Sequence, residues 1–252
     1  MRARGHGIAV GLALLSGAAL AGCDALPGKP RPGAHDVAPS QVVAFDVLYA
    51  QHCAGCHGVD GRLGAARPLN DPVFLALVPR ERLRQVIARG VPGTAQPPLG
   101  QSAGGELTDA QIEALVQGMI GAWARPDAAR DAALPPYDAE TARAKGSGPG
   151  DPERGKAVFA AVCAGCHGPD GRGGPKAGSI VDPSFLNLVS DQGLRTTVIA
   201  GRPDLGMPDW RGSGAGPPLQ PQQISDVVAW LAAERKPVPG RLAEADSRRS
   251  TP

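Results

Sequence analysis

Between residues 40 and 50, apolar side chains recur at the spacing of an α-helix. They are Val42, Phe45, Leu48 and Tyr49. Residues that lie three or four positions apart share one face of a helix. Ser40 stands where an N-cap is expected, so the pattern predicts a helix that starts at Ser40, runs through Tyr49 and leads the chain to Cys53.

Three further helices are predicted before residue 125. Two are short, at Val73–Leu77 and at Arg80–Arg89. A last helix, capped by Thr108 or Asp109, runs to about Trp123. The segments between them are rich in glycine and proline, which predicts loops.

The same order of elements recurs about 110 residues later. Four segments correspond to the helices of the first half: Pro152–Val162, Phe185–Leu188, Gly193–Ile199 and 222–235. Two similar stretches fix the correspondence across the middle: Asp71-Pro72-x-Phe74-Leu75 and Asp182-Pro183-x-Phe185-Leu186. With 35 glycines and 26 prolines in 252 residues, the chain favours short helices and long loops over sheet.

One pentapeptide occurs twice, as Cys53-Ala54-Gly55-Cys56-His57 and as Cys163-Ala164-Gly165-Cys166-His167. The pattern C-x-x-C-H is the attachment signature of a c-type haem. Each thiol can form a thioether with one vinyl group of a porphyrin, and the adjoining histidine can bind the iron. The alternatives are a zinc site, for which the four ligands are not available, and a thioredoxin-like motif, which belongs to a βαβ pattern that the chain lacks.

On these residues the chain resembles two fused class I cytochrome c domains, over residues 41–125 and 151–237. The resemblance implies an all-α fold in which a few helices wrap round one covalent haem per domain, and hence two covalently bound haem c groups. It implies haem attachment at Cys53, Cys56, Cys163 and Cys166, and proximal iron ligation by His57 and His167. It also implies Met207, which precedes Pro208, as the distal iron ligand of the second domain; the alternative is a methionine on a surface loop.

The first domain departs from this family at the distal position. Alignment of Gly90 with Gly201 places Gln96-Pro97-Pro98 over Met207-Pro208-Asp209. Gln96 is therefore the candidate distal ligand of the first iron. Water, an open position or another residue, including His35, are the alternatives. An amide oxygen is a harder donor than a thioether and favours ferric iron, so the first haem is expected to have the lower potential.

The contact between the first and last helices also differs between the two domains. In the family that the chain resembles, a glycine of the first helix meets an aromatic residue of the last, and Gly155 and Trp230 occupy these places in the second domain. The corresponding residues of the first domain are Phe45 and Gly118. Small and large side chains have exchanged sides, which keeps the contact volume similar. The alternative is that Phe45 is an ordinary core residue.

The segments outside the two domains have compositions of their own. Residues 1–22 have the charged start and short apolar stretch of an export signal. Leu20-Ala21-Gly22-Cys23 resembles the lipobox of bacterial lipoproteins, which implies lipidation of Cys23; the alternative is an ordinary signal peptide with an incidental cysteine. We expect a lipid anchor and Pro/Gly-rich tether at 23–40, a linker at 126–150 and a polar tail at 238–252.

Charge argues against nucleic acid as a partner, because the net charge is only +2 and no basic run occurs. We expect a membrane-tethered dihaem electron carrier on the periplasmic side of the bacterial inner membrane, rather than a stand-alone enzyme. Its expected donor is a quinol-oxidising complex or a dehydrogenase, and its expected acceptor is a terminal oxidase or reductase. Two alternatives stay open: a cytochrome subunit of a larger oxidoreductase complex, and a haem enzyme or ligand sensor that acts at the first haem.

Overall fold

The computed structural model of the chain describes residues 37–129, 132–212 and 216–236. These residues form eleven α-helices and three short 3-10 helices, and they form no β-strand. The α-helices are α1 Phe45–His52, α2 Ala54–His57, α3 Pro72–Leu77, α4 Arg80–Arg89, α5 Asp109–Trp123, α6 Ala139–Ala144, α7 Pro152–Val162, α8 Ala164–His167, α9 Pro183–Leu188, α10 Asp191–Ala200 and α11 Pro221–Ala233. The 3-10 helices are Pro39–Gln41, Gln101–Ala103 and Pro203–Leu205. The expected all-α fold is confirmed.

Several predicted segments lie outside the described residues. They are the export signal, Cys23, His35, most of the tether and the polar tail at 238–252. Within the described residues, no helix combines the length and the apolar character that crossing a membrane requires.

The first helix begins later than the apolar pattern predicts. Ser40 lies in the 3-10 helix Pro39–Gln41, and α1 begins only at Phe45. The carbonyl of Val42 accepts a hydrogen bond from Gln111 Nε2 at 3.0 Å, which ties this segment to α5. The prediction of Ser40 as N-cap is therefore wrong, because a tertiary hydrogen bond takes up a carbonyl that an earlier helix start would have used.

In the second half, the first and last helices cross at a glycine, as expected. A Cβ atom on Gly155 of α7 would overlap the backbone of Asp226 in α11 and would lie 2.9 Å from Cβ of Trp230. The Trp230 indole packs on Phe159 of α7, with ring centroids 4.3 Å apart. Only a residue without a side chain permits this approach of the two backbones.

The first half makes the same crossing with the residue sizes exchanged. A Cβ atom on Gly118 of α5 would overlap the ring of Phe45 in α1, so the expected contact between these two residues is confirmed. The side chain of Phe45 thus occupies the space that the missing side chain of Gly118 leaves open. Total volume at the crossing is conserved, which is the kind of change that packed cores tolerate.

A second aromatic substitution accompanies this exchange, and the sequence pattern did not predict it. Trp123, five residues beyond Gly118, packs on Tyr49 with ring centroids 5.1 Å apart. Its Cη2 atom would lie 3.0 Å from a Cβ on Gly61, whereas Cη2 of Trp230 would lie 3.2 Å from a Cβ on the equivalent Gly171. Trp123 therefore fills the place in the first half that Trp230 fills in the second.

One hydrophobic cluster, the shared core, contains residues of both halves, and each half also has a buried cluster of its own. The shared core contains Phe74 of α3 and Met119 of α5 together with Ile199 of α10 and Ile224 of α11. Met119, the only methionine in residues 41–125, is 2% exposed in this core. The described residues from Ser40 onward accordingly form a single compact unit.

The predicted linker at 126–150 is part of this packed unit. Leu134 and Tyr137 pack against the shared core. The buried guanidinium of Arg195 donates hydrogen bonds to the carbonyls of Pro136 and Tyr137, at 2.9 and 3.2 Å. The linker also contains α6, which begins after the capping residue Asp138 and was not predicted.

The helix crossing of the first half predicts opposite effects for two glycines of α5. Gly118→Ala should lower the free energy of unfolding by about 1–3 kcal/mol, because its Cβ overlaps the Phe45 ring. Gly121→Ala is the matched control: a Cβ there meets no atom within 4 Å, so better helix propensity should raise stability by about 0.5–1 kcal/mol. Equilibrium urea denaturation measures both effects.

A double-mutant cycle tests whether the overlap with Phe45 is the cause. In a Phe45→Gly background, Gly118→Ala should no longer destabilise, because the whole Phe45 side chain that it meets, Cβ included, has been removed. Equal penalties for Gly118→Ala with and without Phe45 would contradict the assigned contact.

Candidate functional site

Each C-x-x-C-H segment forms a one-turn helix directly after the first helix of its half. Helix α2 follows α1, and α8 follows α7. The four cysteines are free thiols and no disulfide joins them. In each pair the second cysteine is exposed, whereas Cys53 is buried and Cys163 is half-buried. Burial raises the pKa of both Cys53 and Cys163 to about 11, so these thiols are protonated at neutral pH.

A hydrogen bond to the backbone orients each histidine. Nδ1 of His57 lies 2.7 Å from the carbonyl oxygen of Arg67, and Nδ1 of His167 lies 3.1 Å from that of Gly178. A carbonyl only accepts, so Nδ1 must carry the proton and Nε2 has a free lone pair. That tautomer is the one that binds a metal through Nε2. Burial lowers the pKa of His57, and the hydrogen bond to Arg67 opposes this effect.

The two candidate distal residues lie in equivalent loops. The Val91 N–H donates to the carbonyl of Gln96 at 3.0 Å, and the Arg202 N–H donates to that of Met207 at 3.1 Å. Each loop turns back at a glycine with positive φ, Gly90 in the first half and Gly201 in the second. A Cβ on Gly90 would lie 2.7 Å from the carbonyl oxygen of Gln96, and a Cβ on Gly201 would lie 2.7 Å from that of Met207. The structure therefore places Gln96 in the backbone position that corresponds to Met207.

The side chain of Gln96 also faces the histidine of its own half. It lies close enough to the His57 imidazole to oppose the lowering of the His57 pKa that burial causes. Both side chains are half-buried. Residues that lie 39 positions apart in the sequence thus meet at one place. Met207 is half-buried as well.

Arg67 is a site residue that the sequence pattern did not reveal. Its three guanidinium nitrogens are buried, and none has a hydrogen-bond partner. The guanidinium lies over the ring of Phe74, 4.0 Å from the centroid. The signal that could have found it is positional: Arg67 stands ten residues after His57, where the repeat has Gly178 eleven residues after His167.

The loop that carries Met207 is anchored to the first half by Asp204. The Leu63 N–H donates to Asp204 Oδ2 at 3.0 Å, and Arg202 Nη2 donates to the carbonyl of Gly64 at 3.2 Å. Arg202 and Asp204 form a two-bond ion pair with both distances 3.0 Å, and the Asp204 side chain is 1% exposed. These contacts join the segment after the first C-x-x-C-H motif to the segment before Met207.

Leu63 adopts an unusual backbone conformation at this contact. It is the one described residue other than glycine with a positive φ, of 61°. The left-handed region is costly for a residue with a branched side chain. The buried Asp204 carboxylate accepts the Leu63 N–H in this conformation and so stabilises it.

The zinc alternative finds no ligand set in the described part of the chain. No three of its histidine, cysteine, aspartate and glutamate residues lie together in a way that could hold a metal ion. Each C-x-x-C-H motif instead has a single histidine, oriented by a backbone carbonyl.

Comparison with known proteins gives one family and several relatives. The family model described as cytochrome C oxidase, cbb3-type, subunit III matches residues 41–117 and 150–231, together more than half of the chain. The cbb3-type cytochrome c oxidase subunit CcoP of Rubrivivax gelatinosus is 27% identical over 196 residues, which are 77% of this chain and 54% of that protein. Subunit FixP of Azorhizobium caulinodans is 28% identical over 191 residues, 73% of this chain and 57% of that protein.

A third relative matches one segment only. The dihydro-heme d1 dehydrogenase of Pseudomonas aeruginosa is 42% identical over 73 residues, 28% of this chain and 13% of that enzyme. The chain therefore spans little more than half the length of the two oxidase subunits and a small part of the dehydrogenase.

The anchor of the Met207 loop predicts a stability effect for Asp204. Asp204→Ala leaves Arg202 without its carboxylate and Leu63 N–H without its acceptor, and it should lower the free energy of unfolding by about 2–3 kcal/mol. Asp170→Ala is the control: its ion pair with Arg172 is exposed, so the loss should stay under about 1 kcal/mol. Denaturation in urea at pH 7 measures the difference.

The ion pair between Arg202 and Asp204 also predicts how the stability of the protein depends on pH. The hydrogen bonds from Arg202 are the largest cause of a lowered pKa of Asp204 in the folded protein. A lowered folded-state pKa contributes stability that is present above the unfolded carboxyl pKa of about 4 and is lost as pH falls through the folded value. The stability gap between wild type and Asp204→Ala should therefore narrow below about pH 4, and a gap that widens there would contradict the assignment.

Proposed function

Since the chain belongs to the family described as cytochrome C oxidase, cbb3-type, subunit III, we propose that it binds two covalent haem c groups and transfers single electrons between redox proteins. A cytochrome c family implies covalent haem c. One observation carries the extension to two haems: both C-x-x-C-H motifs have their histidine held by a backbone carbonyl in the iron-binding tautomer.

The residues of both halves fit a covalent haem. Free thiols stand at Cys53 and Cys56 and at Cys163 and Cys166 on one-turn helices, as two thioether bonds to one porphyrin require. In the first half the unpartnered, buried guanidinium of Arg67 is an orphaned cation beside His57, which fits a cofactor with anionic substituents. In the second half the equivalent position is a glycine, and the Met207 loop supplies a thioether sulfur.

Each side chain then has a definite role. The cysteines would hold the porphyrin, and His57 and His167 would bind its iron through Nε2 while Nδ1 donates to a backbone carbonyl. Haem iron, when bound, supplies a one-electron ferric/ferrous couple. Met207 favours the ferrous state through its soft sulfur, whereas Gln96 offers a harder amide oxygen at the equivalent place. The second haem would therefore have the higher potential, which would direct electrons from the first half to the second.

A lipid anchor at Cys23 completes the proposal. The segment Leu20-Ala21-Gly22-Cys23 supports lipidation, and an export signal before it supports a place in the bacterial cell envelope, on the periplasmic side of the inner membrane. The proline-rich segment after Cys23 is long enough to hold the packed unit away from the lipid surface. The proposed donor is a quinol-oxidising complex or a dehydrogenase, and the proposed acceptor is a terminal oxidase or a reductase.

A second candidate function is supported by the relatives. CcoP and FixP are named as subunits of cbb3-type cytochrome c oxidases, so this chain is a candidate cytochrome subunit of a larger oxidoreductase. Isolation from native membranes in mild detergent distinguishes the subunit of a larger oxidoreductase from the independent electron carrier. A catalytic subunit that co-purifies in a fixed ratio favours the subunit, and a dihaem protein that purifies alone and exchanges electrons with several partners favours the carrier.

Haem content is the direct test of the proposed function. Intact-mass spectrometry of the mature protein should give the mass of the chain plus two covalent haems, because both motifs have the thiols and the histidine tautomer that attachment requires. Cys163→Ala with Cys166→Ala should remove one haem and leave the first in place. One haem or none in the wild type would refute the dihaem assignment.

The distal position of the first haem is tested by Gln96→Met. Because a thioether favours ferrous iron more than an amide oxygen does, the variant should raise the potential of the first haem and make its optical spectrum resemble that of the second. Gln101→Met, which changes a glutamine in the adjacent 3-10 helix, is the matched control and should leave both potentials unchanged. Redox titration followed optically resolves the two haems. An unchanged first haem in Gln96→Met would exclude this position as the distal ligand.

The anchor is tested by Cys23→Ser. Lipid supplies membrane attachment and plays no part in the packed unit, so the variant should move from the membrane to the soluble fraction and keep its full haem content. Mass spectrometry of the wild type should show acyl chains on the first residue of the mature protein. A soluble wild type without acyl mass would contradict the anchor.

A further inference from the structure

Arg67 is a buried cation whose guanidinium forms no hydrogen bond within the described part of the protein. All three guanidinium nitrogens are buried and unpartnered, and the planar group lies over the Phe74 ring. Burial lowers the pKa of Arg67 to about 10, so the side chain stays charged at pH 7. A buried charge without a partner is strongly destabilising. Such a group marks a place where an anionic acceptor belongs.

The neighbouring carboxylates do not fill this need. Asp71 has one oxygen occupied by the N–H groups of Val73 and Phe74, and its other oxygen is also buried and unpartnered. Asp204 is occupied by Arg202 and by the Leu63 N–H. A guanidinium has five N–H donors, and the single free oxygen of Asp71 could accept only a part of them.

The location of Arg67 identifies the class of anion. Its carbonyl accepts the Nδ1–H of His57, so the side chain starts beside the proximal ligand of the first iron. A second cation, Arg202, is close enough to contribute to the lowered pKa of Arg67, and it lies on the loop that carries Met207. Arg202 is paired with Asp204, so Arg67 is the cation beside the first histidine whose guanidinium lacks a hydrogen-bond partner. The anionic substituents of a haem are its two propionate carboxylates.

We propose that the guanidinium of Arg67 binds a propionate of the first haem and thereby raises the reduction potential of that haem. The pairing would satisfy the orphaned donors with a two-oxygen acceptor, which is the geometry that a guanidinium prefers. It would also offset a negative charge that otherwise favours ferric iron. The second half has Gly178 at the equivalent position, so this contact belongs to the first half alone.

The proposal rests on the proposed function, because it requires a haem at the first motif. Intact-mass spectrometry is therefore done first: a protein without the first haem refutes the proposed function, and only a protein with both haems tests Arg67. The second haem then serves as an internal reference in every measurement.

The main experiment compares Arg67→Met with Arg62→Met. Arg67→Met removes the charge and keeps most of the volume, and it should shift the ferric/ferrous equilibrium of the first haem towards ferric on the order of tenfold, since a unit charge at about one nanometre in a medium of intermediate dielectric has that effect. Arg62 lies on the same loop but is exposed, bonded to Asn70, so Arg62→Met should change neither potential. Arg67→Lys keeps the charge and should show a smaller shift than Arg67→Met.

A vibrational measurement separates a propionate contact from a general effect of charge. Resonance Raman spectra of the wild type should show a propionate bending mode that shifts in deuterated buffer, because the guanidinium protons exchange. The mode should also change in Arg67→Met and stay unchanged in Arg62→Met. The wild-type measurement needs no variant, so it holds even where Arg67→Met does not fold.

Three outcomes would overturn the proposal. The first is a propionate mode that is insensitive to deuterium and to Arg67→Met, which would mean that Asp71 and water satisfy the guanidinium. The second is an equal potential shift in Arg62→Met and Arg67→Met. The third is a potential shift in Arg67→Met that is larger for the second haem than for the first, which would assign the contact to the other cofactor.

Discussion

A hydrogen bond from a histidine Nδ1 to a backbone carbonyl is the interaction on which each half of this molecule depends. It closes the loop after the C-x-x-C-H motif, because the carbonyl comes from Arg67 or Gly178, ten or eleven residues further along the chain. The loop can return only because Gly58 and Gly168 take up positive φ directly after the histidines. The same bond fixes the tautomer that leaves Nε2 free. The geometry of the loop and the proposed iron ligation thus both depend on one contact.

The helix crossing behind this loop holds the motif in place. Helices α1 and α7 deliver the cysteines, and they keep their orientation because they pack closely on α5 and α11. In the second half the close approach comes from Gly155 and the covering ring from Trp230. In the first half the approach comes from Gly118, and the covering ring comes from Trp123 one and a half turns later. Two different sets of residues therefore build the same support, which shows that the constraint is the volume at the crossing rather than the identity of any one side chain.

The two halves have become unequal while remaining one packed unit. Gln96 in the first half corresponds to Met207 in the second, and Arg67 corresponds to Gly178. The surroundings of the two proposed irons therefore differ in ligand and in charge. At the same time α3, α5, α10 and α11 share one core, and Asp204 joins the Met207 loop to Leu63. A fixed arrangement of two unlike centres is what a directional transfer of electrons requires. The proposed amide ligand and the proposed guanidinium contact act in opposite directions on the first potential, so the difference between the centres is adjusted by two residues rather than set by one.

The sequence by itself determined the features that depend on short-range spacing. The helices and the C-x-x-C-H motifs follow from residues close together in the chain. The repeat and the correspondence of Gln96 with Met207 follow from alignment of the two halves, and the family match bears out the cytochrome c resemblance. The exchange of Phe45 and Gly118 was also visible, because alignment of the two halves exposes a change of size at both positions at once. Tertiary structure alone decided the rest. Contacts between residues that are 50 or more positions apart decide the start of α1, the place of Trp123 and the anchoring of the Met207 loop by Asp204. The unpartnered guanidinium of Arg67 depends on the absence of a hydrogen-bond partner. No local pattern of residues encodes either kind of information.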